Sequence, residues 1–291
     1  MKALLMTKTK SLLLSSAVAI AMAGSLQAQI KTPAPSPAIE VKQTVGITEF
    51  KINYSRPGVK ERAIYGGLVP YGEVWRTGAN ATTKISFDTE IDFGGTKVPA
   101  GDYVLFTIPG ESEWTVILYG DKDVANAGLY DQSKDVARVV VTPVALSTPV
   151  ENFSIGFDYL RDDSALLNLD WASTRITVPV KIDTAALSMA TIEAALPSMD
   201  SWTARDYANA ADAYSKAGKD LATATEWMGK AAAMNENAFW WQHQYAKMLA
   251  KQGNKEGAIA AAEKSLATAK AAPGGDSGYI KMNEDLLSTL K

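Results

Sequence analysis

Val98-Pro-Ala-Gly-Asp-Tyr-Val-Leu-Phe-Thr-Ile-Pro109, followed by Trp114-Thr-Val-Ile-Leu-Tyr119, decides the fold. Both runs are β-branched and aromatic, and neither has helical spacing. Pro109-Gly110 between them reads as a hairpin-type connection. Upstream, Phe50, Ile52 and Tyr54 alternate with Lys51 and Asn53. Lys84–Asp88 and Glu90–Phe93 follow, and Gly94-Gly95 marks another turn. Downstream come Val136–Thr142, Phe153–Phe157, Ala165–Trp171 and Arg175–Val180. No helix-length amphipathic segment interrupts these runs. That excludes parallel βαβ units and favours an antiparallel β-sandwich over a closed barrel. Pro179 inside the last run predicts an edge strand, because proline cannot donate to a ladder.

After Asp183 the texture changes to alanine-rich segments with apolar residues every three or four positions. Helices are predicted over 184–196, 202–217, 221–234, 238–251, 255–271 and 277–290, separated by Pro197, Gly218, Asn235, Gly253 and Pro273-Gly-Gly275. Asp276 or Ser277 is expected to cap the last one. Tyr214–Asp220 and Leu249–Lys255 align at an offset of 35, and Glu226–Lys230 aligns with Ala260–Lys264 at 34. Helix–turn–helix units of that period resemble tetratricopeptide repeats. Two repeats are few for a free-standing solenoid, so the array is expected to pack on the sandwich as a lid or buttress. The competing reading is a partner-binding groove presenting Trp202, Tyr207, Trp240 and Trp241.

The first residues form a separate unit. Lys2, Lys8 and Lys10 precede an apolar run from Leu12 to Met22, and Ala23–Ala28 supplies small residues suited to cleavage. This predicts a signal peptide over 1–28 and an exported protein, periplasmic or extracellular, with no membrane span. Residues 29–38 read as a Pro-rich spacer, 39–182 as the sandwich domain and 183–291 as the helical repeat domain. Loss of the three leader lysines leaves 26 basic against 32 acidic side chains, a net charge of −6. That argues against nucleic acid as a partner. The chain has no cysteine and one histidine, which excludes disulfides, thiol chemistry and a typical zinc site.

The stretch Tyr54–Asn80 concentrates recognition chemistry. It holds Arg56, Arg76, Tyr65, Tyr71, Trp75 and Asn80 among five glycines and two prolines. Arginine offers bidentate hydrogen bonds to carboxylate or phosphate and stacks on aromatic faces. Arg56, Tyr71, Trp75, Arg76 and Asn80 are therefore the expected ligand-binding residues, for a small polar or anionic ligand or a glycan. The competing reading has the arginines pinning the loop to Glu61, Glu73 or backbone carbonyls while Trp75 fills the core, and it is the favoured one.

Other constellations are poorer. His243, in Trp240-Trp-Gln-His-Gln-Tyr245, has no acid partner or nucleophile beside it in sequence and reads as packing. Gly275-Asp-Ser-Gly278 copies a protease tetrapeptide but lies in a turn between helices. Asp121-Lys-Asp123 with Asn126, and Asp162-Asp163, lack the calcium-loop pattern and read as turns. Asp88, Glu90 and Asp92 cannot be placed across a cleft from sequence alone. No phosphate-loop, dinucleotide or nucleophile-elbow motif occurs, so no catalytic residue, metal or cofactor is assigned.

Ser55–Lys60, Tyr65–Asn80 and Pro99–Pro109, with Trp114-Thr-Val-Ile117, Leu169-Asp-Trp171 and Thr174–Pro179, resemble a bacterial secreted family catalogued as domain of unknown function 2911. The resemblance covers roughly 38–181, and a helical tail is a common companion. It implies an exported β-rich domain without assigned catalytic residues. The expected architecture is α+β and multidomain: an antiparallel β-sandwich followed by a small all-α tetratricopeptide-like array. The expected function is a non-enzymatic binding module. The alternatives are a cell-envelope hydrolase with an unidentified carboxylate pair, and an assembly adaptor that binds a protein through the repeats.

Overall fold

A computed structural model describes residues 32–291. The expected leader, 1–28, and the first residues of the spacer lie outside the described residues. Ten strands follow: β1 (Ala38–Val45), β2 (Thr48–Ser55), β3 (Thr83–Phe87), β4 (Ile91–Phe93), β5 (Thr96–Val98), β6 (Gly101–Ile108), β7 (Trp114–Tyr119), β8 (Asp135–Val141), β9 (Val144–Asp158) and β10 (Ser164–Lys181). They form two antiparallel sheets, ordered β1-β2-β3-β6-β7-β8 and β5-β4-β10-β9. The inward positions of both sheets share one core. Phe50, Ile52, Ile85, Leu105 and Trp114 come from the first sheet, and Phe93, Phe153, Leu167, Trp171 and Val178 from the second. A separate cluster of Val104, Phe106, Ile117, Tyr119 and Val124 covers the outer side of β6 and β7, so these strands are buried on both faces.

Three features bear on the expectations drawn from the sequence. First, the sheet starts one strand earlier than Phe50. In β1, Ile39 and Val41 alternate with Glu40 and Lys42, and the strand pairs along its whole length with β2. The spacer is not a free tether either, since Pro35, Ser36 and Pro37 give their carbonyls to Lys60 Nζ, Asn80 Nδ2 and Arg56 N–H. Second, β10 doubles back at Ala172, whose φ is +51°. Asp170 meets Arg175, Asn168 meets Thr177, and the Asp163 carbonyl accepts from the Ile182 N–H. Its two arms match the two runs read from sequence. Third, Pro179 is not on an edge, because β10 lies between β4 and β9. Its carbonyl accepts from Gly94 N–H at the Gly94-Gly95 turn, where the ladder to β4 ends and no donor is missed.

Six helices follow: α1 (Thr184–Ala195), α2 (Ala204–Lys216), α3 (Leu221–Met234), α4 (Phe239–Lys251), α5 (Lys255–Lys270) and α6 (Tyr279–Leu290). Asp183, Thr203, Asp220 and Asn254 cap α1, α2, α3 and α5 with side-chain oxygens. The last cap differs from expectation. Gly278, at φ +85°, is the N-cap of α6, while the Asp276 carboxylate accepts from Ile280 N–H. α2/α3 and α4/α5 are the two repeats, and α6 packs on α4 and α5. Trp202 and Tyr207 are buried in the helical core and Trp241 packs against it. Of the four aromatics suggested for a groove, Trp240 alone is exposed. Among the described residues no helix is long and apolar enough to cross a membrane.

The helices meet the sandwich at one end. Gly46, at the β1–β2 turn with φ +59°, lies against Thr184 and the Asp162 carbonyl; a Cβ there would come 2.6 Å from that oxygen. Leu187 packs on the sandwich core, and Lys216 reaches Asp162 at 3.5 Å. This junction is at the start of β2, whereas Tyr54–Asn80 leaves its end. The two are separated by the length of an eight-residue strand, about 27 Å. The array therefore meets the sandwich at the far end from that stretch and is not a lid over it.

A buried polar network ties α4, α5 and α6 together. His243 Nδ1 contacts Asn283 Oδ1 at 2.9 Å, Asn283 Nδ2 donates to Ser265 Oγ, and Ser265 Oγ donates to the Phe239 carbonyl. Burial, opposed by the Asn283 bond and aided by the Lys247 charge, pushes the His243 pKa below its usual value. An unfolded histidine titrates near ~6.5, so below that pH the unfolded chain holds more protons on His243 than the folded one. Stability is thus lost as pH falls from ~6.5 toward the lowered folded value. Urea unfolding at pH 7.5 and 5.5 should show a larger loss for the wild type than for His243→Gln.

Candidate functional site

Beyond Ser55 the chain crosses from the first sheet to the second. Pro57 accepts from Phe153 N–H at 2.9 Å, Val59 N–H donates to Glu151 at 2.8 Å, and Gly58 bridges Asn152. At Gly58 a Cβ would come 2.8 Å from Glu151 Oε1, the end of an exposed side chain that is free to move aside. The chain then turns tightly over Ile64–Val69 and returns along β6. Gly72 N–H donates to Pro109, and Trp75 exchanges both backbone bonds with Thr107 at 2.7 and 3.0 Å. The segment thus takes the place beside β6 that β3 leaves vacant before Thr83.

Side chains from this crossing close the open end of the sandwich. Trp75 stacks on Trp171, with centroids 5.7 Å apart and planes at 15°. It meets Phe153 edge-on at 5.1 Å, and Tyr65 meets Trp114 edge-on at 4.8 Å. Burial raises the Tyr65 pKa, with smaller contributions from the Asp170 charge and from Tyr71. Its phenol therefore stays protonated and is no general base.

The five expected ligand residues divide. Arg56 Nε donates to the Phe153 carbonyl at 2.9 Å. Trp75 joins the aromatic plug, and its Nε1 donates to Gly78 at 3.1 Å. Asn80, at φ +60°, reaches Ser36 O and Ser55 Oγ, both at 3.3 Å. These three converge around Phe153, Ser55 and the 35–37 segment, and they hold the loop. Tyr71 is exposed and lies over Gly66. Arg76 differs from Arg56: its Nε is buried without a hydrogen-bond partner among the described residues. Neither Glu61 nor Glu73 forms an ion pair with either arginine there. Five of the clefts on the described surface, of 310–750 Å3, are lined by residues other than these.

The remaining candidates are occupied locally. Asp121 accepts from Asp123 N–H and pairs with Lys134 at 2.8 Å. The Asp162 carbonyl accepts from Thr184 Oγ1. His243 contacts Asn283, while Ser277, in the protease-like tetrapeptide, sits at φ +50° in the turn. Asp158 and Asp170 approach each other through Arg175, which binds Asp170 at 2.6 and 2.7 Å and Asp158 at 3.7 Å. That is an ion-pair network rather than an acid–base pair. The carboxyls of Asp121, Asp131, Asp206 and Asp220 are all held below the ordinary range, by hydrogen bonds first from Lys134, Ser133, Thr203 and Thr223 respectively. None of these four is poised as a proton donor.

The arginines should respond oppositely to truncation. Arg56→Ala leaves the Phe153 carbonyl without its donor and should cost about 1–3 kcal/mol. Trp75→Ala opens the plug and should cost about 3 kcal/mol or more. Arg76→Ala removes a guanidinium whose buried Nε has no partner among the described residues and should leave stability unchanged or raise it by up to about 1 kcal/mol. Urea midpoints of the three variants check this ordering.

No curated protein matches the chain. Residues 36–180 match the family described as protein of unknown function (DUF2911). The match begins just before β1 and ends within the second arm of β10, so it takes in the crossing, the aromatic plug and both sheets, and leaves out the helices. Through this sandwich the chain belongs to the DUF2911 family.

Proposed function

We propose that the protein is an exported, non-enzymatic binding module that engages a small anionic ligand at the 54–80 loop, with Arg76 as the recognition group. The observation that carries this is the Arg76 guanidinium. In the same loop, Arg56 Nε, Arg62, Trp75 Nε1 and Asn80 Nδ2 donate to backbone or side-chain oxygens. Arg76 Nε is left without a partner, and an unpaired, partly desolvated arginine is costly unless a ligand completes it. A carboxylate accepting from Nε and a terminal nitrogen together would do so bidentately. Tyr71 is exposed on the same loop. Arg56, Trp75 and Asn80 act by holding the backbone that presents Arg76. Export is inferred from the leader-like residues 1–28.

The test is an arginine side-chain N–H spectrum of the protein titrated with galacturonate, with neutral galactose as control. The Arg76 Nε resonance should shift saturably with galacturonate and not with galactose, and the response should vanish in Arg76→Lys while Arg56 stays still. Equal, non-saturating shifts of both arginines would overturn the reading.

A further inference from the structure

The largest of the five clefts, 750 Å3, lies at the opposite part of the chain, between the start of α4, the end of α5 and the start of α6. Its walls include Trp240, Tyr279 and Phe239, and the Pro273–Gly275 turn forms one side. Phe239 meets Tyr279 at 5.3 Å and Trp240 at 5.0 Å, both edge-on. Phe239 is buried and Tyr279 half-buried, whereas Trp240 is 39% exposed. An anchored indole with so much free surface is a platform, not a core residue. At Gly274 and Gly275 no atom lies within 4 Å of an added Cβ, so the turn leaves the mouth open.

Three features define the occupant. No lining residue is charged, so nothing in the cleft selects an ion. The Asn237 amide and the Ser277 hydroxyl have no hydrogen-bond partner among the described side-chain bonds, and both are exposed at the cleft. Thr268 Oγ1 donates to Lys264 O and keeps its lone pairs. The cleft thus offers an aromatic face with uncharged donors and acceptors around it. A pyranose matches this: its axial C–H groups carry partial positive charge toward the negative ring face, and its equatorial hydroxyls reach outward to amide and hydroxyl partners. The His243–Asn283–Ser265 network fixes the three helices behind the walls, so the site is preformed.

We infer that the Trp240–Tyr279 cleft is a binding site for a neutral saccharide, separate from the Arg76 loop. Cellohexaose, chitohexaose and mannohexaose are titrated into the full chain while the tryptophan indole N–H signals are followed. At least one of the three should give a saturable shift of the Trp240 signal. Trp240→Ala should weaken binding at least about tenfold, and Asn237→Ala should weaken it less, by calorimetry. Arg76→Lys should leave it unchanged, which separates this site from the anion reading. Thermal melts establish that both cleft variants fold. The inference is overturned if none of the three sugars saturates, if binding survives Trp240→Ala, or if a proline-rich peptide fills the cleft in their place.

Discussion

The stack of Trp75 on Trp171 is the contact on which the sandwich end depends. Two sheets packed face to face leave their core open at each end, and here the near end is sealed by rings from four segments distant in sequence. Trp75 can reach Trp171 because its backbone is held beside β6 by two bonds to Thr107. Trp171 can receive it because Ala172 turns the chain back at that point. The loop's unusual composition follows: glycine where backbone meets backbone, arginine and asparagine where carbonyls need donors, and aromatic bulk at the seal.

Much of the architecture is legible in the sequence because its punctuation is local. Helix ends fall within two residues of Pro197, Gly218, Asn235 and Gly253, and the arms of β10 were visible as two runs with Ala172-Ser-Thr174 between them. β1 is not legible because its alternation follows directly on a proline-rich stretch. Pro179 reads as an edge residue because the sequence displays a missing donor without displaying the Gly94 turn that makes the donor unnecessary. The different roles of Arg56 and Arg76 were not legible at all. Both sit among glycines and aromatics, and the carbonyl that distinguishes them belongs to Phe153, 97 residues further along. The same limit hides the helical cleft, whose walls come from three helices.

The two regions with recognition chemistry are built differently. In the loop Arg56 Nε, Arg62, Trp75 and Asn80 hold the crossing, and among the described residues the Arg76 Nε is buried without a partner. In the helical cleft the Asn237 and Ser277 side chains have no partner among the described side-chain bonds, and the satisfied His243–Asn283–Ser265 chain lies behind them. A network of that kind defines a unique packing of neighbouring helices more than it adds net stability. It lets an alanine-rich array, with little bulk for shape complementarity, keep its aromatic walls in place.

The positions of the N-terminal staple and of the helical junction have a mechanical consequence. Pro35, Ser36 and Pro37 are bonded at one end of the sandwich, and α1 leaves from the other. Tension applied between the two ends would draw β1 lengthwise against β2. All eight residue pairs of that ladder then resist together in shear, instead of opening one after another as they would if peeled from an edge.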